Sequence, residues 1–261
     1  AVADQMWASF VLRLQAALPG RSMVPATTVT RELRMRKETA EIVALRDAAR
    51  AADLAFARAC AAPFAGRSER EVAEELAAAL RATGHEEVLF TIVGSGPNGA
   101  SPHHQSGDRR LASGDAVVLD FGGTRARYCS DITRTVHVGD APDAELRRVH
   151  GIVLRAQQAA YRAVRPGATA ESIDRAARAV ISEAGYGAYF IHRLGHGIGL
   201  EDHEHPYLVA GNREILEPGM RGVNFDAGLY RRATYVEKSI DNLRTVLIVG
   251  GVLLLLALVA L

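Results

Sequence analysis

The chain has 261 residues, 48% of them hydrophobic and 23% charged. That is too apolar for a disordered polypeptide and enough for one large domain or two small ones. Lys and Arg total 31 against 30 Asp and Glu, and the resulting net charge of +1 provides no global field for attracting nucleic acid. The short basic pairs Arg109-Arg110 and Arg231-Arg232 have only Tyr230 and Tyr235 as nearby stacking aromatics, so no nucleic-acid partner is expected. Cys60 and Cys129 form neither a CxxC pair nor a disulfide framework, and no charged segment followed by an apolar one opens the chain; a cytoplasmic protein is expected.

In chain order, residues 6–18 are amphipathic and lead through Pro19-Gly20 to a strand-like stretch at residues 22–25. A long helical run follows from Thr30 through Ile42, Leu45, Ala48, Ala52 and Ala55, with apolar residues three and four apart. Ser68 with Glu71 three residues later forms a capping box, opening a helix that stops at Thr83-Gly84. Residues 88–93, 116–121 and 131–138 are apolar or alternating, rich in β-branched residues and bounded by Gly, Asn and Asp, which predicts strands of an antiparallel sheet. Two helices are predicted next, from Asp143 to Pro166-Gly167 and from Thr169 to Ala184-Gly185. Helices, strands, paired helices and further strands indicate α+β rather than regular βαβ alternation.

The far end differs in kind. From Thr245 to Leu261 every residue but the first is apolar or Gly. As a helix this run reaches about 25 Å against a hydrocarbon core of about 30 Å. A membrane anchor is one reading; a last strand and turn at Gly250-Gly251 followed by an apolar tail is the other.

Two places carry chemistry. Asp120 ends the apolar run Val117-Val118-Leu119, where a carboxylate is costly to bury without a cation or donors. Asp131 lies eleven residues on, past Gly122-Gly123; with a turn at those glycines a hairpin would aim both carboxylates at one point. Taken singly, each Asp suits a turn cap equally well. The second place is the stretch 191–206, where His192, His196, His203 and His205 fall within fourteen residues among Gly195, Gly197 and Gly199. Carboxylates combined with imidazoles are the ligand set of manganese, cobalt, zinc or iron hydrolase sites.

With these residues in place, "VVLDFGG", "SDITRT", "HRLGHGIGL", "HEHPY" and "LEPGM" together resemble the pita-bread metallopeptidases, which include methionine aminopeptidases, Xaa-Pro aminopeptidases and prolidases. The resemblance spans about residues 30–237. His192, four residues before His196, directs it to the Xaa-Pro and prolidase branch. It implies an α+β pita-bread fold over residues 31–244, with residues 1–30 a remnant of an N-terminal domain and residues 245–261 the apolar tail. It also implies two divalent ions, manganese first, held by Asp120, Asp131, His196, Asp226 and Glu237. His103 and His192 would face the substrate, and His203 would stabilise the tetrahedral intermediate. The implied substrate is a peptide with proline second, cleaved at its N-terminal bond by water, and the implied assembly is a homodimer.

The match thins after Met220. The family expects Glu-Pro-Gly-Ile-Tyr where this chain has Asp226-Ala227-Gly228-Leu229-Tyr230, with one extra residue before it. Asp226 therefore stands at the bridging glutamate's place, about 1.5 Å short, while metal–oxygen distances tolerate about 0.2 Å. For the last ligand Glu237 competes with Asp241. A binding or scaffold protein with an impaired metal site is the rival to an enzyme, and metal stoichiometry separates them. If Asp226 is a ligand, Asp226→Glu will raise both bound manganese and Xaa-Pro hydrolysis, measured beside the parent; unchanged values remove the residue from the ligand set.

Overall fold

In the computed structural model, which describes residues 1–4 and 6–218, the first amphipathic segment forms α1 (Ala8–Ala17), a helix with no buried residue. The stretch at 22–25 is not a strand; it contributes a single bridge between Val2 and Pro25. The long helical run divides into α2 (Thr27–Met35) and α3 (Thr39–Ala59). The break has a local cause: Glu38 and Glu41 form a reciprocal capping box that starts a new helix at Thr39. Their apolar spacing continues across the break, which is why periodicity alone merges them. Helix α2 also crosses the boundary expected at residue 30.

Ser68 caps α4 (Glu69–Ala82), its hydroxyl accepting from the Glu71 amide. The antiparallel sheet follows in the order β1 (Glu87–Ser95), β2 (Ala116–Arg125) and β3 (Tyr128–His137). Strand β2 alternates as expected: Val117, Leu119 and Phe121 are buried, facing Ala52, Ala55 and Ala59 of α3 and Val72, Leu76 and Leu80 of α4 in one core. Alanines let α3 approach the sheet closely, and Phe56 stacks on Phe121 at 6.3 Å between centroids. Asp120 consequently projects to the other face of the sheet.

The hairpin turn departs from the expectation. Gly122 and Gly123 lie inside β2, and the chain reverses at Ala126 and Arg127, both with positive φ (49° and 70°), the pattern of a two-residue hairpin loop. The Glu86 carboxylate accepts from both their amides. Gly122 is needed for a different reason: a Cβ there would run into the Ser130 carbonyl and the Phe90 ring. The longer strands set the register, with Asp120 opposite Thr133 and Gly122 opposite Asp131, so Asp120 and Asp131 share one face diagonally.

Helices α5 (Ala144–Ala163), capped by Asp143, and α6 (Ala170–Glu183), capped by Thr169, pair around a second core of Ala156, Ala160, Ile173 and Ala177. A two-stranded sheet, β4 (Gly195–Gly197) with β5 (Glu204–Leu208), packs beside α2 and α6. Among the described residues no helix is long and apolar enough to cross a membrane. The segment 245–261 lies outside them.

One buried charge organises the connection between β1 and β2. Glu69, 0% exposed, accepts hydrogen bonds from the Ser95 amide (2.8 Å) and hydroxyl (2.7 Å), the Asn98 side chain (3.0 Å), His104 Nε2 (2.7 Å) and the Gly107 amide (3.3 Å). Burial pushes this carboxyl up, but the bonds from Ser95, His104 and Asn98 outweigh it and hold the pKa at about 2. The folded value lies below the ordinary 4.5, so the stabilisation is present above that pH and is lost as pH falls towards about 2. It amounts to about 3 kcal/mol. Denaturant unfolding from pH 6 to pH 2 should show Glu69→Gln less stable than the parent at pH 6, with the gap closing as the parent's carboxylate is protonated.

Candidate metal centre

The site lies where the diagonal carboxylates of the hairpin meet the β4–β5 sheet. His196, in the middle of β4 and paired with Tyr207, brings Nε2 to 3.2 Å from Asp131 Oδ2. His203, just before β5, has its ring centroid 4.1 Å from that of His196. Asp131, His196 and His203 each offer one ligand atom, all within 4.8 Å of one another. Thr133 Oγ1 donates to Asp120 Oδ1 at 2.8 Å.

The electrostatics suit a cation. Burial pushes the Asp120 carboxyl up and the neighbouring Asp131 pushes it further, opposed by the Thr133 hydroxyl and by His103 and His203. His196 is shifted up, first by its hydrogen bond to Asp131 and next by that to the Gly197 carbonyl, against the effect of burial. Two carboxylates and two imidazoles converging on one face form the mixed hard and borderline donor set that divalent first-row ions accept, so these residues fit such an ion.

Three ties hold the histidines there. On α6 the Asp174 carboxylate, 1% exposed as a residue, pairs with Arg178 through two contacts of 2.9 Å and accepts from the Leu194 amide. Arg178 in turn donates to the carbonyls of Phe190 (2.7 Å) and His192 (3.1 Å), which sets the segment entering β4. Next, the Cys129 amide donates to the Gly199 carbonyl at 2.8 Å, tying β3 to the β4–β5 loop. Finally Glu204, 6% exposed, takes Arg34 at 2.5 Å and Lys37 at 2.8 Å while accepting from the Leu200 and Glu201 amides. Burial raises this carboxyl, but Lys37 and Arg34 bring it below the ordinary value. Two of the glycines have steric reasons: a Cβ at Gly197 would strike the His205 carbonyl, and one at Gly199 would strike the Glu204 carboxylate.

The structure thus brings Asp131, His196 and His203 together, with His103 and His203 close enough to act electrostatically on Asp120. It does not draw His192 into the cluster: that ring is exposed, its Nδ1 2.7 Å from the Arg193 carbonyl and its edge against Phe190. Asp226, Glu237 and Asp241 lie outside the described residues. Sequence reasoning missed Arg34, Lys37, Asp174 and Arg178 as supports. The i,i+4 spacing of Asp174 and Arg178 was a readable signal; the partnership of Arg34 and Lys37 with a residue some 170 positions away was not.

Comparison with known proteins finds relatives in sequence and in structure. A family model described as metallopeptidase family M24 matches residues 43–241. The probable dipeptidase PepE of Mycobacterium tuberculosis is 51% identical over 231 residues, covering 88% of this chain and 61% of that protein. The Xaa-Pro dipeptidase of Pyrococcus furiosus is 41% identical over 203 residues, covering 77% and 58%. Among solved structures, dipeptidase PepE from Mycobacterium ulcerans superposes with a TM-score of 0.79 at 51% identity, covering 84% of this chain and 59% of that one. A prolidase from Thermococcus sibiricus gives 0.80 at 42%, covering 84% and 60%. These likenesses show the α+β pita-bread fold. The chain spans about three fifths of the length of these relatives.

Removing the Glu204 charge leaves Lys37 without its carboxylate and Arg34 with only the more exposed Glu201. Glu204→Gln is expected to cost about 3 kcal/mol, read by urea denaturation at neutral pH. A cost below about 1 kcal/mol would mean that solvent already screens the pairs.

Proposed function

Because the chain belongs to metallopeptidase family M24, we propose that it catalyses metal-dependent hydrolysis of the N-terminal peptide bond of substrates with proline at the second position. The observation that carries the reading is the convergence of Asp131, His196 and His203 within 4.8 Å on the face that also bears Asp120. Similarity to an Xaa-Pro dipeptidase and to a prolidase structure supports the substrate class.

In this reading Asp120, Asp131 and His196 hold divalent ions, completed by Asp226 and by Glu237 or Asp241. Bound ions would supply a lowered pKa for water and polarisation of the scissile carbonyl. The chain's own groups do the rest. His203 donates a hydrogen bond to the carbonyl oxygen as it gains charge, with His192 as an alternative donor. His103 orients the substrate from the wall of the site. The carboxylate at position 226 accepts the water proton and returns it to the leaving amine. Manganese is the first choice of ion, on the carboxylate share of the donor set. The reading extends to a homodimer in the cytoplasm, and the free thiols of Cys60 and Cys129 are compatible with a reducing compartment.

The test is manganese binding together with hydrolysis of Xaa-Pro dipeptides and longer Xaa-Pro peptides. Two tightly bound ions and turnover support the enzyme; one ion or none without turnover supports a binding module, the rival raised by Asp226. His196→Ala should lose one ion and the activity with it, and undiminished turnover in that variant rejects the assignment. His203→Ala should lower kcat by about two to three orders of magnitude with metal content intact, as for an oxyanion donor. Loss of metal in that variant would make His203 a ligand, a role its distance from Asp131 and His196 also permits.

A further inference from the structure

His103 carries a role in the proposed reaction, yet it is exposed and makes no hydrogen bond with the described residues. His103 is therefore held by its backbone, in a segment that lies against the Asp120 face of β2: a Cβ on Gly99 would come within 3.3 Å of Val118, two residues before Asp120 on the same face. That backbone belongs to residues 95–107, which leave β1 through a short 3-10 turn (Gly96–Ala100) and return towards β2. Both ends and the middle of this segment converge on one carboxylate. Glu69 Oε1 takes the Ser95 amide and hydroxyl and the Asn98 side chain; Oε2 takes His104 Nε2, from the residue next to His103, and the Gly107 amide. Arg109 extends the grip, donating to the Ser95 hydroxyl at 2.6 Å while it pairs with Asp115. The Val93 amide donates to Ser106 Oγ at 2.8 Å.

A buried carboxylate is costly to desolvate unless donors replace the lost water, and five do so here. Here every donor lies in the segment 95–107, which also carries His103. We propose that Glu69 is a positioning residue: from the first turn of α4 it fixes the 95–107 segment so that His103 stands over the metal-binding face. The inference rests on the proposed role of His103 for its catalytic consequence, but not for the geometry of the latch. Among the described residues Glu69 makes no hydrogen bond to Asp120, Asp131 or His196. It acts through the side chains of Ser95, Asn98 and His104 and the Ser95 and Gly107 amides. A glutamine there cannot reproduce it, because its amide NH2 would confront donors from one half of the loop with another donor.

The experiment compares the parent, Glu69→Gln and the milder His104→Ala, each loaded with Mn2+. Backbone hydrogen exchange is read first. Exchange over residues 96–107 is expected to rise about tenfold or more in Glu69→Gln and several-fold in His104→Ala, with residues 116–121 unchanged and full manganese content. Hydrolysis of an Xaa-Pro dipeptide is read second. His104→Ala should lower kcat more than it raises KM, and adding His103→Ala should cause little further loss, since two substitutions acting through one group are not additive. The positioning role is overturned if exchange over 96–107 is unchanged in both variants, if it rises equally across β2 and β3, or if the losses from His103→Ala and His104→Ala multiply independently. A parent chain that cleaves no Xaa-Pro bond would count against the proposed activity; the exchange measurement would still decide the latch.

Discussion

The pairing of the buried Glu204 carboxylate with Arg34 and Lys37 is the constraint on which the geometry of the metal-binding face depends. A carboxylate this deep is stable only with its charge compensated, and its two oxygens are compensated from α2 and the short link after it, outside the sheet altogether. Oε1 also takes the Leu200 and Glu201 amides, so the loop between β4 and β5 is drawn onto the carboxylate and can close only because Gly199 has no side chain. From that loop the Gly199 carbonyl receives the Cys129 amide. Two residues along β3 stands Asp131, and two strands are thereby set so that His196 and His203 meet it. Segments far apart in sequence reach one point through a chain of short polar contacts.

The buried and half-buried acids fall into two kinds, and the contrast identifies the site. Glu204 is neutralised by two cations, Asp174 by Arg178, and Glu69 by five donors. Each of these has a complete set of partners and serves to fasten a loop. Asp120 differs. It has the Thr133 hydroxyl, the opposing influence of two imidazoles and the adverse charge of Asp131, and burial raises its carboxyl. Acids that the fold has satisfied hold the frame, while the acid whose partners fall short faces the position that a cation would fill.

The fold gives this arrangement a rigid support. The helix-facing side of β2 packs Val117, Leu119 and Phe121 against the alanines of α3 and the aliphatic residues of α4, and the opposite side bears Asp120. One strand thus serves the core and the site through the two-residue period of its side chains. The second core, between α5 and α6, reaches Leu194 and Leu208 at the base of the β4–β5 sheet. Each half of the site therefore stands on its own apolar foundation, and membership of metallopeptidase family M24 is consistent with a face built for hydrolytic chemistry.

Local rules made much of this legible. The Ser68 capping box, the three strands of the sheet, the helix pair ending at Pro166-Gly167 and Ala184-Gly185, and the alternation that turns Asp120 away from the core all follow from residues near one another in sequence, because caps, pleats and helical faces are local. The histidine-rich stretch and the two aspartates were visible for the same reason: few roles other than metal binding use that combination of side chains. At the hairpin the local rule misled because partners elsewhere in the sheet had intervened. Gly122-Gly123 reads as a turn, but both glycines lie within a strand, where a Cβ at Gly122 would meet the Ser130 carbonyl and the Phe90 ring and one at Gly123 the Glu87 carbonyl, and the Glu86 carboxylate accepts from the amides of the actual reversal at Ala126-Arg127. Composition and pattern alone determined an α+β chain whose carboxylates and imidazoles fall in the pattern of a metal site. Tertiary structure alone decided that Glu69, Glu204 and Asp174 are structural acids, that His203 joins Asp131 and His196, and that His192 stands outside them. The physical reason is that the state of a buried charge depends on which donors and cations surround it in space, and sequence spacing carries no information about partners brought in from other elements.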